Sequence, residues 1–274
     1  MDATQPIQGM SNAALANIDP AVRISGVVIC LNEAGKIGDC LLSMRGIVDE
    51  LVVVDSGSTD GTLQVAESHG ARVIQRAFDT FSAQKNAGIA EARYPWILSL
   101  DADERLSGPL RDSLSEWRNR PGAHPPAAMG MNRLNHLGSQ AIRHGSWWPD
   151  VKIRLFHRSV AQWGPGNPHE ELLLQPGTVV GRLQGPLLHL TAANAEILRR
   201  KGERYALLWS EGRGRQGGSV PVWKPALRAA FRWLRDYLLR GGFLDGRAGW
   251  DIARIDAGYT YRKYWLARQQ NRLK

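Results

Sequence analysis

A chain of 274 residues is long enough for one large domain or two small ones around a substantial core. Hydrophobic residues make up 43% and charged residues 22%, which excludes wholesale disorder, and no stretch reaches the ~18 uninterrupted apolar residues of a spanning helix. The formal net charge is +9, and the two cysteines, Cys30 and Cys40, have the spacing of neither a metal site nor a disulfide framework, so packed reduced thiols and a cytoplasmic setting are expected.

Residues 1–22 read as a flexible lead-in, since Met1–Pro20 lacks a basic segment followed by an apolar core. Val- and Ile-rich runs then predict strands over Ile24–Leu31 and Leu51–Val54, with further strands at Arg72–Gln75 and Trp96–Leu100. Helical spacing falls between them at Lys36–Met44, Thr62–His69 and Phe81–Ala92. Strands alternating with helices imply βαβ units and a Rossmann-like α/β domain. A helix is expected over Leu110–Trp117, followed by a proline-rich connector and β-like pieces near Met129–Leu137, Lys152–His157 and Leu187–Leu190. Gly212–Gly218 reads as a Gly/Arg-rich loop. Near the end, Leu227, Ala230, Phe231, Leu234, Tyr237 and Leu238 form one apolar helical face, with Arg228, Arg232 and Arg235 beside it and Gly241-Gly242 as its stop. A second helix is expected over Ala248–Arg268.

The strand ends carry the chemistry. Leu98-Ser99-Leu100 runs into Asp101-Ala102-Asp103-Glu104, three carboxylates where open α/β sheets bind ligands. Two carboxylates one residue apart suit a divalent cation holding a diphosphate, although such pairs also cap helices. Glu104 fits a helix start. The first strand is followed by Cys30-Leu31-Asn32-Glu33-Ala34-Gly35 rather than Gly-x-Gly-x-x-Gly, which argues against a dinucleotide dehydrogenase. The second ends in Asp55-Ser56-Gly57-Ser58-Thr59-Asp60-Gly61, where Asp55 either accepts from a ribose or base or satisfies its own turn, and Asp60 is placed to cap the next helix.

Four segments in this order, Val28–Glu33, Val53–Thr62, Ser82–Gly88 and Leu98–Glu104, resemble the nucleotide-sugar half of family 2 glycosyltransferases. Trp147-Trp148-Pro149-Asp150, Arg154-Leu155-Phe156, His169-Glu170, His189 and Gly241–Gly246 resemble the lipopolysaccharide core β-glucosyltransferase subgroup. The resemblance covers residues 24–268. It implies a GT-A fold with a mixed sheet: a catalytic domain over 23–195, with a donor half (23–108) and an acceptor half (109–195), then a basic amphipathic helical region over 196–274. It further implies inverting transfer of a hexose such as glucose from a nucleoside-diphosphate sugar, a UDP-sugar in the first instance, with Mg2+ or Mn2+. Leu31, Asn32, Glu33, Asp55, Lys85, Asp101, Ala102 and Asp103 would bind the donor; Asp103, Asp101 and His189 would hold the metal. Glu170 would be the general base, and Trp147, Trp148, Asp150, Arg154 and His169 would lie toward the acceptor. Pro168 departs from the pattern, since related sequences often carry an apolar β-branched residue there.

The acceptor implied is a lipid-linked or lipopolysaccharide core glycan, and the location the inner face of the cytoplasmic membrane. The basic, aromatic tail suits an anionic membrane surface, with the apolar stripe packed and the arginine face turned to phosphate groups. Nucleic acid is not an expected partner. Two rival readings are a haloacid-dehalogenase-type phosphatase with Asp101 as nucleophile, whose motif ordinarily follows the first strand rather than the fourth, and a non-catalytic basic binding module.

Overall fold

The structure, a computed structural model, describes residues 22–119, 126–164, 171–216 and 221–272. In chain order the first half comprises β1 (Ile24–Cys30), α1 (Ala34–Met44), β2 (Glu50–Asp55), α2 (Thr62–Ser68), β3 (Arg72–Gln75), α3 (Phe81–Glu91), β4 (Trp96–Asp101), β5 (Glu104–Leu106) and α4 (Gly108–Arg118). There follow β6 (Ala128–Leu137), β7 (Gln140–Ala141), β8 (Val151–His157), β9 (Ala161–Trp163), β10 (Leu172–Leu174) and β11 (Val180–Ala192). The remainder is helical: α5 (Ala195–Gln216), α6 (Lys224–Trp233) continued by a π-helical stretch (Leu234–Leu239), a 3-10 turn (Gly242–Asp245) and α7 (Gly246–Arg272).

One sheet runs β3-β2-β1-β4-β8-β6-β11-β5, with β7 on β6; β9 and β10 form a separate hairpin. Strands β1 to β4 are mutually parallel where they pair, and β8 is antiparallel to both β4 and β6, so the sheet is mixed. The parallel strands read as continuous apolar runs because both faces are covered. Val28 and Ile24 face a cluster with Ile37, Leu41 and Leu110, whereas Val27 faces Val52, Ile97 and Phe156. Helix α3 comes close because it carries Gly88: a Cβ there would lie 2.5 Å from Val27 Cγ1 and 3.0 Å from Val54 Cγ2.

Register decides where the polar loops emerge. Cys30 pairs with Asp55, and Ile29 with Asp101, so three strands end at one edge and deliver Asn32-Glu33, the 56–61 loop and the acidic cluster side by side. Strand β8 runs back along β4 with Ile97 opposite Phe156 and Leu98 opposite Leu155. Arg154 is the next residue toward the acidic end.

Two compact units are present: one ends at Asn132 and resumes over Val151–Leu187, the other comprises Arg133–Asp150 and the chain from Leu188 on. In the second unit the Gly241–Gly246 segment is a backbone crossing. A Cβ on Gly249 would lie 1.8 Å from the Gly242 carbonyl oxygen, so α7 can start there only with glycine. The buried Asp245 carboxylate accepts from the His144 N–H at 2.9 Å and from the Arg143 N–H, with His144 Nδ1 at 3.0 Å.

Three expectations change. Glu104 does not begin a helix: it lies in β5, and α4 is capped instead by the Ser107 side chain, which accepts from the Leu110 N–H. Gly212–Gln216 belong to α5 rather than to a loop, while Gly217 and Gly218 lie outside the described residues. The third concerns the C-terminal amphipathic helix, whose orientation is reversed. Arg232 turns inward to Asp236 and Asp256, while Leu227, Phe231, Leu234 and Leu238 are exposed. The buried Asp236 carboxylate needs a cation beside it, and that requirement pulls the arginine in.

Candidate active site

The loops after β1 and β2 are tied to each other. Asn32 adopts the left-handed conformation (φ 54°), its N–H donates to Ser58 Oγ at 2.8 Å, and its side-chain oxygen accepts from the Thr59 N–H at 2.9 Å. The α1 N-terminus is capped across the same gap: the Glu33 N–H donates to Thr62 Oγ1 at 2.9 Å and the Ala34 N–H to Asp60 Oδ2 at 3.2 Å. Asp60 also accepts from the Thr62 N–H, so it serves the starts of both α1 and α2. Leu31 is exposed at this edge, and Glu33 is ion-paired with Lys36.

Asp55 is buried, and its carboxylate accepts from the N–H groups of Gly57 and Ser58 at 2.8 Å each, from the Ser58 hydroxyl and from the Cys30 thiol. Burial raises its pKa, but the Ser58 and Gly57 hydrogen bonds lower it by more, and the net shift is below the usual carboxylate range. In this geometry Asp55 shapes the loop with its own turn.

At the end of β4 four charges interlock. Lys85 Nζ lies 2.9 Å from Asp101 Oδ1, and Arg154 Nη2 lies 2.9 Å from Asp101 Oδ2 and 2.6 Å from Glu104 Oε1. Glu104 Oε2 accepts from the Asp101 N–H at 3.1 Å. Lys85, Arg154 and Glu104 are 1%, 4% and 0% exposed, whereas the Asp101 side chain is 30% exposed, so Asp101 is the member that meets solvent. Ala102 is buried, and Asp103, in the turn to β5, is half-buried. Arg154, expected toward the acceptor, is therefore part of the strand-end cluster.

Trp163 covers the cluster. Lys85 Nζ sits 4.2 Å from its ring centroid, and the Arg154 guanidinium 5.8 Å. Helix α3 fixes the position of that ring. Asn86 Nδ2 donates to the Trp163 carbonyl at 2.9 Å and its Oδ1 accepts from the Trp163 N–H at 3.1 Å, which reproduces a strand pairing with a side chain; Ser82 Oγ donates to the Gly164 carbonyl. The buried indole Nε1 has no hydrogen-bond partner among the described residues, and a buried donor of this kind calls for one. The Gly164 N–H donates to the Glu171 carbonyl at 2.8 Å, so these two residues are held together beside Trp163. His169 and Glu170 themselves lie outside the described residues.

The other sequence-derived candidates belong to the second unit. Asp150 is ion-paired with Arg133 at 2.8 Å. The Trp147 carbonyl accepts from Asn135 Nδ2 at 3.1 Å, and Trp148 precedes a cis proline. His189 Nδ1 lies 2.6 Å from Asn135 Oδ1 and 3.0 Å from Thr191 Oγ1. Among the described residues no three His, Cys, Asp or Glu side chains gather around one point.

Comparison with known sequences agrees with this edge. The sequence model of "Glycosyl transferase family 2" matches residues 25–117. An uncharacterized glycosyltransferase of Rickettsia prowazekii is 37% identical over 240 residues, covering 83% of this chain and 80% of the relative. The chain belongs to glycosyltransferase family 2. The lipopolysaccharide core biosynthesis glycosyltransferase LpsC of Rhizobium meliloti is similar over almost its whole length: 26% identity, 92% of this chain and 97% of LpsC. A partial structural match is glucosyl-3-phosphoglycerate synthase of Mycobacterium tuberculosis, solved with Mn2+ and UDP-glucose, at 27% identity and a TM-score of 0.30 over 37% of this chain and 40% of that one. As a family 2 member with a GT-A fold, the protein is a glycosyltransferase rather than a phosphatase or an inert basic module.

Two outcomes follow from the geometry. Arg154→Met leaves Glu104 buried without its cation, which costs on the order of 3–5 kcal/mol; thermal unfolding is expected to show a Tm about 10 °C lower, and adding Glu104→Gln is expected to restore most of it. An Arg154→Met protein as stable as the parent contradicts the buried cluster. For Asp55 the folded pKa is depressed, so its stabilisation is present above the unfolded carboxyl pKa and is lost as pH falls through the folded one. The Tm gap between the parent and Asp55→Asn should therefore be widest near neutrality and narrow steadily below about pH 4.

Proposed function

We propose that this glycosyltransferase moves a hexose such as glucose from a UDP-sugar to a lipopolysaccharide core or other lipid-linked surface glycan, with inversion at the anomeric carbon. The observation that carries the donor half of this reading is the charge cluster at the ends of the parallel strands, ringed by Asn32-Glu33 and the 56–61 loop. That is where an open α/β sheet receives a nucleotide. The acceptor class rests on the likeness to LpsC along nearly the whole chain.

A divalent cation fits the residues present. Lys85 and Arg154 are already balanced by Asp101 and Glu104, so neither brings surplus positive charge to a diphosphate. The exposed part of Asp101 and the half-buried Asp103 would hold the ion, which takes the rest of its shell from phosphate and water, as Mg2+ commonly does. When bound, it supplies charge stabilisation to the departing diphosphate. His189, with Nδ1 beside Asn135 and Thr191, is left out of this ligand set.

The remaining work falls to the chain's own side chains. Lys85 and Arg154 hold Asp101 in one orientation; Trp163 shields the cluster from water. Leu31, Asn32, Glu33 and Ala102 line the donor edge, and Asp55 keeps the adjacent loop in shape. Glu170, next to the anchored Glu171 carbonyl and preceded by His169, takes the proton from the acceptor hydroxyl as it attacks the anomeric carbon from the face opposite the leaving diphosphate. Trp147, Trp148 and Asp150 are assigned to acceptor choice, and the inner face of the cytoplasmic membrane to the site of action.

UDP with Mn2+ or Mg2+ at about a hundred times its Kd is expected to add about 2.7 kcal/mol, a Tm rise of roughly 5–10 °C. Asp103→Ala should abolish the rise, whereas Glu170→Gln should keep it and lower transfer about a hundredfold or more. No rise with any nucleoside diphosphate and either ion contradicts the donor reading.

A further inference from the structure

The exposed face of the C-terminal helices is a surface that the sugar-transfer reading does not use. Trp223, Leu227, Phe231, Leu234 and Leu238 recur at intervals of three and four residues along α6 and its π-helical continuation, so they lie on one face. All five are between 42% and 60% exposed, and Leu239 and Leu244, at 71% and 62%, extend the patch past the helix end. The polar side chains point the other way: Arg232 is ion-paired to Asp236 and, at 2.8 Å, to Asp256, with Ser146 Oγ 3.2 Å away. Trp233, Tyr237 and Trp250 form a linked aromatic set next to the stripe, with centroids 5.2 to 5.7 Å apart. An ordinary surface helix hides its apolar side. This one shows it.

We infer that this face docks on an anionic lipid bilayer, with the apolar stripe entering the acyl boundary and the flanking cations meeting headgroup phosphates. Charge complementarity selects the occupant. Arg228, Arg240 and Arg247 are exposed around the patch, and residues 221–272 contain eleven Lys or Arg against four Asp. A second copy meeting the same patch across a two-fold axis brings like charges together. Anionic headgroups reverse that sign, and a helix with an apolar face, Trp on it and Arg around it has the composition of an interfacial helix. No helix among the described residues is long and apolar enough to cross a membrane, so contact is with one leaflet only. The inference deepens the lipid-linked acceptor reading, yet it stands on this face alone.

The test is co-sedimentation of the full chain with vesicles of phosphatidylcholine containing phosphatidylglycerol, compared with phosphatidylcholine alone. Binding to the anionic vesicles is expected, weakened by salt. The double variant Leu227→Asp/Phe231→Asp should bind roughly a hundredfold less, the loss of two buried apolar side chains. Because both positions are exposed, its Tm and its stabilisation by UDP with Mn2+ should match the parent, which separates this result from any failure of the donor reading. Should that variant lose its fold, quenching of the parent's tryptophan emission by brominated phosphatidylcholine in the anionic vesicles gives a second reading, and its absence counts against insertion. Failure of the parent to sediment with anionic vesicles overturns the inference. So does a soluble homodimer that the same two substitutions break.

Discussion

Two buried cations, Lys85 and Arg154, face two carboxylates, Asp101 and Glu104, at the edge where the parallel strands end. Taking Lys85, Arg154 and Glu104 out of water is costly, and the arrangement persists only because each charge meets an opposite one and Glu104 also accepts a backbone N–H. The rest of the first unit is arranged so that these groups meet. Parallel pairing brings Asp101 level with the loops after β1 and β2, and antiparallel β8 carries Arg154 back toward it. Helix α3 supplies Lys85 from one side of the sheet, close-packed through Gly88. A rigid knot of two acids and two cations can orient an acid without adding net charge.

The same helix reaches a second element. Lys85 stacks on Trp163 while Ser82 and Asn86, one turn apart on the same face, bond its backbone and that of Gly164. One face of α3 therefore fixes both the acid at the strand end and the β9–β10 hairpin at Trp163. The donor-edge cluster and the β9–β10 hairpin are positioned by a single helix, and a shift of that helix disturbs both.

The parallel half of the fold was legible because fully covered strands leave continuous Val and Ile runs, and the loops between them carry Asn, Asp and Gly in a fixed order. Arg154 was not legible as a partner of the acids: Asp101 lies more than fifty residues earlier, and only the antiparallel register of β8 brings them together. Glu104 resembles a helix start because it is an acid after a strand, whereas its burial against Arg154 makes it a strand residue. Asn86 stands inside the Ser82–Gly88 segment, but its tie to Trp163 was not legible, since it acts by imitating a neighbouring strand. In the tail, periodicity showed that two faces exist, and it could not show which one turns inward. That depended on Asp236 and Asp256 drawing Arg232 to the inside. Cys30 and Cys40 are buried free thiols, in keeping with their spacing.

The central claim is that donor recognition occurs at the strand-end cluster and the hairpin anchored to it. Amide hydrogen exchange with and without UDP-glucose and Mn2+ measures this directly, residue segment by residue segment. The account predicts slowed exchange over 30–35, 55–62, 101–106 and 161–174. Slowed exchange confined to the C-terminal helices, with those four segments unchanged, contradicts it.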